Sequence, residues 1–336
     1  SPTLDAMATK RKTTTLGALL LGMFYIVFLS FFLVAGSLAG WLNQSSVVRE
    51  GFIDMVRRTP PQEVFAGEGQ RTGSLTILIL GCDEERYYGG KQILNNRARS
   101  DMMMVARLDF DRNTVGAVSI PRDTWVDLPG YDPGKINKYH AIGGPELSIR
   151  AVNEVLPTVT IDRAVVLNFD AFKEVVDMLG GVEVYVPKDM LYKDVRGGLD
   201  IDLKKGRQHL DGEDAMGFVR FRKGQNGGSD SDFERQKRQK DLMMALKDQM
   251  LKNWQSGPKV LDKSVQLSGE SFSSREIAAL LMFMQRVDNE NIKMGQIPVT
   301  DIPGTYNLAV DRTKLEETLR EYRVVPTEPV YARTSE

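Results

Sequence analysis

Apolar residues are distributed along this chain in three ways. Between Leu16 and Trp41 they form one long stretch, LGALLLGMFYIVFLSFFLVAGSLAGW, with no charged side chain. A bilayer core takes roughly 20 apolar residues in helical form, so this stretch is expected to be a transmembrane helix. From Leu75 onward the apolar residues form short continuous runs instead: LTILILG, DMMMVARLDF, TVGAVSI, DRAVVLNF, VEVYVP and NIKMGQIPV. Runs of that length bounded by Gly, Asp, Asn or Pro predict buried strands. Elsewhere apolar residues recur every three or four positions. This is the case in GPELSIRAVNEVLP, DAFKEVVDMLGG, LDGEDAMGFVRFR, DFERQKRQKDLMMALKDQMLKNW, SSREIAALLMFMQRV and DRTKLEETLREY. Helices are predicted there; Pro157 stops the first, and the second is capped by Asp170 and closed by Gly180 and Gly181.

Strands alternating with helices predict an α/β domain whose mixed sheet is covered on both faces. Its expected extent is residues 74–323. Residues 42–73 read as a stalk, with a short helix in NQSSVVREGFIDMVRR and a linker in TPPQEVFAGEGQRTGS. Residues 324–336, with Pro326 and Pro329, read as a loose tail. Residues 1–15 form a short tail ahead of the apolar stretch at 16–41. Lys10, Arg11 and Lys12 lie in that tail, and the next charge after the stretch is Arg49. The positive-inside rule then leaves the N-terminus in the cytoplasm and the domain outside, on a single-pass anchor in the cell membrane. A signal peptide cleaved near Ser37-Leu38-Ala39 is the alternative; the length of the apolar core favours the uncleaved anchor.

Charge and composition narrow the chemistry. The net charge is −1, so the average surface offers nucleic acid no basic field. One cysteine, Cys82, allows no intrachain disulfide, and two histidines, His140 and His209, make a Cys/His zinc site unlikely to form. Neither histidine has an evident nucleophile partner, and a lone buried cysteine usually packs. There is no GxxxxGK[ST] loop and no GxSxG elbow.

What stands out is charge at the predicted strand ends. Asp83 lies two residues past the end of the first run, Arg99 and Asp101 open the second, and Pro121-Arg122-Asp123 follows the third. Sites in α/β sheets form at strand ends. Two carboxylates at one edge suit a hard cation such as Mg²⁺ that shares phosphate oxygens. Taken one at a time, these aspartates read equally as turn residues. Arg220 and Arg222 share a face only if the helix from Asp211 has unwound by Val219. Asp232, Arg235 and Gln239 share one helical face, with Arg238 beside it; a solvated charged face is the plain alternative. Arginine grips phosphate oxygens in bidentate fashion. Outside the membrane, phosphate donors are lipid-linked. The polar stretch EERYYGGKQILNNRA, after Asp83, reads as a loop.

The ordered segments ILILGCD, RSDMMMV, VSIPRDTWVDLPG, KINKYHAIGGPE, VDMLGGVEVYVP, LKKGRQHLDGEDAMGFVRFRK and DFERQKRQ resemble the LytR-CpsA-Psr family of cell-wall polymer ligases. The resemblance implies a three-layer α-β-α sandwich with a central mixed sheet, preceded by one N-terminal transmembrane helix. It implies a phosphotransferase that moves a glycopolymer (teichoic acid, capsular or similar polysaccharide) from a polyprenyl-pyrophosphate carrier to peptidoglycan. Mg²⁺ (or Mn²⁺) would assist, held by Asp83 and Asp101. Arg99, Arg122, Arg220, Arg222, Arg235, Arg238, Gln239 and Lys135 would hold the pyrophosphate, with Asn137 on the same rim. Asp123 and Asp232 are the carboxylates that would assist the incoming hydroxyl or orient the arginines, with Arg122 as the catalytic arginine. The chain departs from the family's usual Gly-Asp-x-Gly-Arg: SDSDFER has Ser231 before Asp232 and Glu234 before Arg235, so Asp230 could substitute for Asp232. Two rival functions share the site: a polyprenyl-pyrophosphate hydrolase, and a non-catalytic, membrane-tethered protein that binds lipid phosphate or the wall.

Overall fold

The computed structural model describes residues 40, 45–57, 59–66, 72–82, 85–88, 91–94, 99–194, 199–221, 232–252 and 271–326. The expected membrane span therefore lies outside the described residues, apart from Gly40. Among the described residues no helix is long and apolar enough to cross a membrane.

The stretch expected as a stalk carries two helices, α1 (Ser46–Arg57) and α2 (Pro61–Ala66). The chain then enters β1 (Ser74–Cys82). A short ribbon of β2 (Glu85–Tyr88) and β3 (Lys91–Leu94) replaces the predicted polar loop. Next come β4 (Ser100–Asp109) and β5 (Thr114–Ser119), the small strands β6 (Trp125–Val126) and β7 (Gly134–Lys135), and α3 (Lys138–Val155). Helix α3 breaks at Gly143 and Gly144, the latter at φ +66°, a left-handed conformation open to glycine. There follow β8 (Arg163–Asn168), α4 (Phe169–Met178), β9 (Val182–Val186), β10 (Met190–Asp194), β11 (Leu199–Leu203) and β12 (Gly206–Leu210). Helices α5 (Gly212–Arg220), α6 (Asp232–Lys252) and α7 (Ser274–Arg286) precede β13 (Ile292–Gln296), β14 (Val299–Asp301) and β15 (Leu308–Val310). Helix α8 (Arg312–Glu321) is last.

The central sheet has five strands in the order β13-β5-β4-β1-β8. Strand β4 is antiparallel to both neighbours, whereas β1 pairs parallel with β8 and β5 with β13. Four strands thus run one way and β4 runs against them, which is the mixed sheet expected from the sequence. The alternation along β1 divides the core. Leu78, Leu80 and Cys82 face a cluster with Leu147, Ala151 and Val152 of α3 and Leu315 and Leu319 of α8. Leu75 and Ile77 face the other way, onto Phe283 of α7 with Met243 and Met244 of α6. A third cluster joins β9, β11 and β12 to α5 and α6 through Val184, Ile201, Phe218 and Leu242.

The two helices of the expected stalk are packed against the body. Phe65 of α2 stacks on Phe110 at the end of β4, with centroids 5.4 Å apart. Asp54 of α1 is only 2% exposed, and Arg275 of α7 grips both of its oxygens, from Nε at 2.9 and 3.1 Å and from Nη2 at 3.0 Å. Ser46 and Ser274 share a hydroxyl hydrogen bond of 2.7 Å beside it. Helix α7 itself begins on a reciprocal cap between Ser273 and Glu276.

Candidate active site

The carboxyl ends of β1, β5, β8 and β13 all lie at one end of the sheet, where β4 begins. This is where α/β sheets place their ligands. In the β4–β5 ladder Met104 faces Ser119, and the Ile120 N–H donates to Met103 O at 2.9 Å. Continuing that register past the last rung sets Arg122 opposite Asp101. Arg122 Nη1 indeed donates to Asp101 Oδ1 at 2.9 Å. The Thr124 N–H closes a turn onto the Pro121 carbonyl at 3.0 Å, and Arg122 and Asp123 are its two central residues.

Asp123 extends the pair into a chain of charge. Its Oδ2 lies 3.8 Å from Arg122 Nε, and its Oδ1 accepts from Lys135 Nζ at 2.5 Å. The four side chains are about one-third to two-fifths exposed, with Arg122 at 42% and Asp123 at 31%. The backbone around them is held firmly. Leu308 N–H donates to Asp123 O at 3.0 Å, and Ile136 N–H to Thr124 O at 2.7 Å. Ile136 is fully buried, and the Tyr139 hydroxyl donates to Val126 O and Asp132 O. Burial, with Asp127 and Asp132 nearby, pushes the Tyr139 hydroxyl above its ordinary pKa, so it remains a donor.

Arg220 reaches the same end of the sheet by another route. It is the last residue of α5, and its guanidinium lies 4.9 Å from the ring centroid of Phe169, the first residue after β8. A side-chain carbon on Gly81 would come within 3.0 Å of that ring and 2.9 Å of Met102, the neighbour of Asp101. The ring therefore fits where β1 lacks a side chain, and it carries Arg220 toward the start of β4. Phe169 was not among the residues read from the sequence; an aromatic residue at the carboxyl end of a strand was the available signal. Helix α5 runs through Arg220 and turns extended at Phe221 (φ −55°, ψ 129°), two residues later than expected.

Arg238 corrects the sequence reading. It was grouped with the pyrophosphate ligands, but it is 1% exposed, and its Nε and Nη2 donate to Phe218 O at 2.9 Å and Phe221 O at 2.6 Å. A guanidinium in that position cannot meet a solvent-borne phosphate. His140 is a second correction. Its Nδ1 lies 3.5 Å from Cys82 Sγ, so it does touch a thiol, but both groups are buried beneath the sheet end. His209 is remote on β12, with Nδ1 2.9 Å from Glu183 Oε1.

Arg99 is exposed just before β4, and Gln239 is half-buried on α6. Asp83, Arg222 and Asp230, and the side chains of Asp232 and Arg235, lie outside the described residues. Three buried atoms beside the charged chain, Ser100 Oγ, Thr124 Oγ1 and Asn137 Oδ1, have no hydrogen-bond partner among the described residues. Of these, only Asn137 was read from the sequence.

Asp101 offers a partly exposed carboxylate, an oxygen donor of the kind Mg²⁺ takes alongside phosphate oxygens. Among the described residues no group of three or more His, Cys, Asp or Glu could hold a metal ion. A separate charged basin of about 720 Å³ lies between α8 and β13, lined by Lys293, Glu316, Glu317, Arg320, Glu321 and Arg323. Its acids and bases balance in number, so it lacks the cationic excess that a pyrophosphate requires.

The chain is also similar to known proteins along most of its length. The chain is 29% identical over 301 residues to the polyisoprenyl-teichoic acid–peptidoglycan teichoic acid transferase TagT of Bacillus subtilis, covering 86% of this chain and 89% of that one. To the TagV transferase of the same organism it is 34% identical over 260 residues, covering 74% and 64%. The crystal structure of TagV superposes with a TM-score of 0.58 at 31% identity, over 76% of this chain and all of that one. A structure of TagT with bound octaprenyl pyrophosphate lipid superposes at 0.53 and 28% identity, over 75% and 90%. The model of the LytR_cpsA_psr family matches residues 47–323, and the chain belongs to that family.

Proposed function

We propose that this chain is a phosphotransferase that moves a glycopolymer from a polyprenyl-pyrophosphate carrier to peptidoglycan, outside the membrane. The single observation that carries this reading is Arg122, held opposite Asp101 at the carboxyl ends of the parallel strands. A half-exposed guanidinium there is aimed and still has donors for phosphate oxygens. The TagT structure with an octaprenyl pyrophosphate supports the same ligand class here.

In this reading a muramyl hydroxyl attacks the polymer-side phosphorus in line. The bond to the polyprenyl phosphate breaks, and that phosphate leaves. The hydroxyl proton passes to a carboxylate, Asp123 or Asp232. Arg122 and Arg220, with Arg99, Arg222 and Arg235, stabilise charge on the phosphate oxygens as it develops. Lys135 donates to Asp123 Oδ1 and holds that carboxylate in place. Mg²⁺ or Mn²⁺, when bound, supplies further neutralisation of the pyrophosphate, and Asp101 with Asp83 would hold it. The prenyl tail is the apolar part of the substrate, and the charge-free stretch at 16–41 would keep the domain beside it as a single-pass anchor.

The test is product analysis with a lipid-linked polymer, with and without peptidoglycan. Polymer joined to peptidoglycan is the expected product. Polymer phosphate released at the same rate without acceptor would instead identify a hydrolase. A second, non-catalytic reading has one observation in its favour: MsrR of Staphylococcus aureus, 34% identical over 189 residues covering 56% of this chain and 52% of that one, carries the name of a regulatory protein. Retention of function after Arg122 is removed would select it.

A further inference from the structure

The last four carbonyls of a helix have no intrahelical donor. In α5 the Phe221 N–H returns to Gly217 O, which leaves the carbonyls from Phe218 onward to be met from outside. Arg238, two turns into α6, meets two of them, Phe218 O and Phe221 O. Its guanidinium lies 6.0 Å from the Phe218 ring centroid and 5.7 Å from that of Phe221, within cation–π range of both. Phe218 and Phe221 are themselves buried. A positive charge at a helix C-terminus also faces the favourable end of the helix dipole.

The joint has a functional location. It holds the turn of α5 that ends in Arg220, which lies over Phe169 at the sheet end. Arg238 stands on α6, so the fork ties that helix to the end of α5 from which Arg220 projects.

We propose that Arg238 is a positioning residue for the pyrophosphate grip, acting through Arg220 and never touching the ligand. Lysine cannot replace it, because an ammonium has no planar fork with which to reach both carbonyls beside the two rings. Loss of one hydrogen bond to a charged ligand weakens binding by about 10- to 100-fold, which sets the expected scale.

This inference rests on the pyrophosphate-binding reading, and the experiment separates the two. Binding of geranylgeranyl pyrophosphate with MgCl₂ to the full chain in detergent is measured by calorimetry for wild type, Arg238→Lys, Arg220→Ala and the double variant. Each single variant is expected to weaken binding by about 10- to 100-fold. The double variant is expected to bind within about threefold of Arg220→Ala, because a residue acting through Arg220 has nothing left to position. A purely structural role would lower the melting temperature and multiply its loss with that of Arg220→Ala. Multiplied losses, or wild-type binding by Arg238→Lys, overturn the proposal. If Arg238→Lys does not fold, Phe221→Leu, which removes one of the two rings, enters the same cycle. A loss of about three- to tenfold that vanishes beside Arg220→Ala supports the proposal; no loss, or one that persists, overturns it. Wild type that does not bind the probe refutes the functional reading itself, and this inference with it.

Discussion

Two ion-paired clusters in this molecule use the same side-chain types and do different things. Between α1 and α7, Asp54 is 2% exposed and both its oxygens are taken up by the Arg275 fork at 2.9–3.1 Å. At the sheet end, Asp101, Arg122, Asp123 and Lys135 form a chain of single contacts, with Asp101 33% exposed and Arg122 42%. In the first cluster the carboxylate is saturated and dry, so the pair fastens one helix to another. In the second, the groups hold one another through one or two contacts each and stay about one-third or more exposed to water. Such a cluster can exchange solvent for a ligand without first breaking itself apart. The lesson is that partial satisfaction at a sheet end marks a site better than ion pairing as such.

Substitutions sharpen this contrast. The largest effect is expected from Arg122→Ala, which removes a donor to the developing charge and costs about 2 to 4 kcal/mol in the transition state. Transfer should fall about 30- to 1,000-fold while the thermal midpoint barely moves; full activity in that variant would refute the catalytic assignment. Next, Asp101→Ala should abolish the dependence on added Mg²⁺ and release Arg122 from its aim. A metal titration identical to wild type would remove Asp101 from the metal-binding role. The opposite pattern is expected at the dry cluster. Asp54→Ala should cost about 2 to 3 kcal/mol of stability, below the full range for a buried pair because Arg275 can turn to water. Its activity per folded molecule should be unchanged, as read from denaturant titration beside a transfer assay. Lys135→Met should slow transfer about three- to tenfold, the net scale of one partly exposed hydrogen bond, and leave folding intact. The smallest effect belongs to Lys193→Ala, on the solvent face of the β10–β11 ribbon, where the bond to Asp200 is exposed to water. No change in melting or activity is expected, and a clear loss of either would give that ribbon a role.

The strands of the central sheet were legible because continuous apolar runs have few other uses in a chain of this composition. The pairing of Asp101 with Arg122 was partly legible, since both flank strands that are joined by a tight turn. Contacts between distant segments were not. Asp54 and Arg275 are 221 residues apart, and nothing local in VREGFIDMVR tells a free stalk from a docked helix. The Cys82–His140 contact spans 58 residues and was hidden for the same reason. Arg238 was misread because helical spacing places it beside Arg235 and Gln239 without saying which flank of α6 is covered. Only the carbonyls of Phe218 and Phe221, on another helix, decide that. The β2–β3 ribbon was missed because its polar strands carry little of the alternation that marks a half-buried sheet; LDIDL of β11 does alternate, with Ile201 and Leu203 buried, and was passed over because it is short and lies among charged residues.

The Asp54–Arg275 bond also fixes where mechanical load enters the body. Tension along the chain ahead of Ser46 would meet the Asp54–Arg275 fork and the Ser46–Ser274 hydrogen bond, and so α7, before it travelled on to β1. The strand that leads into the charged sheet end would then share a pull on that segment with α7 instead of bearing it alone.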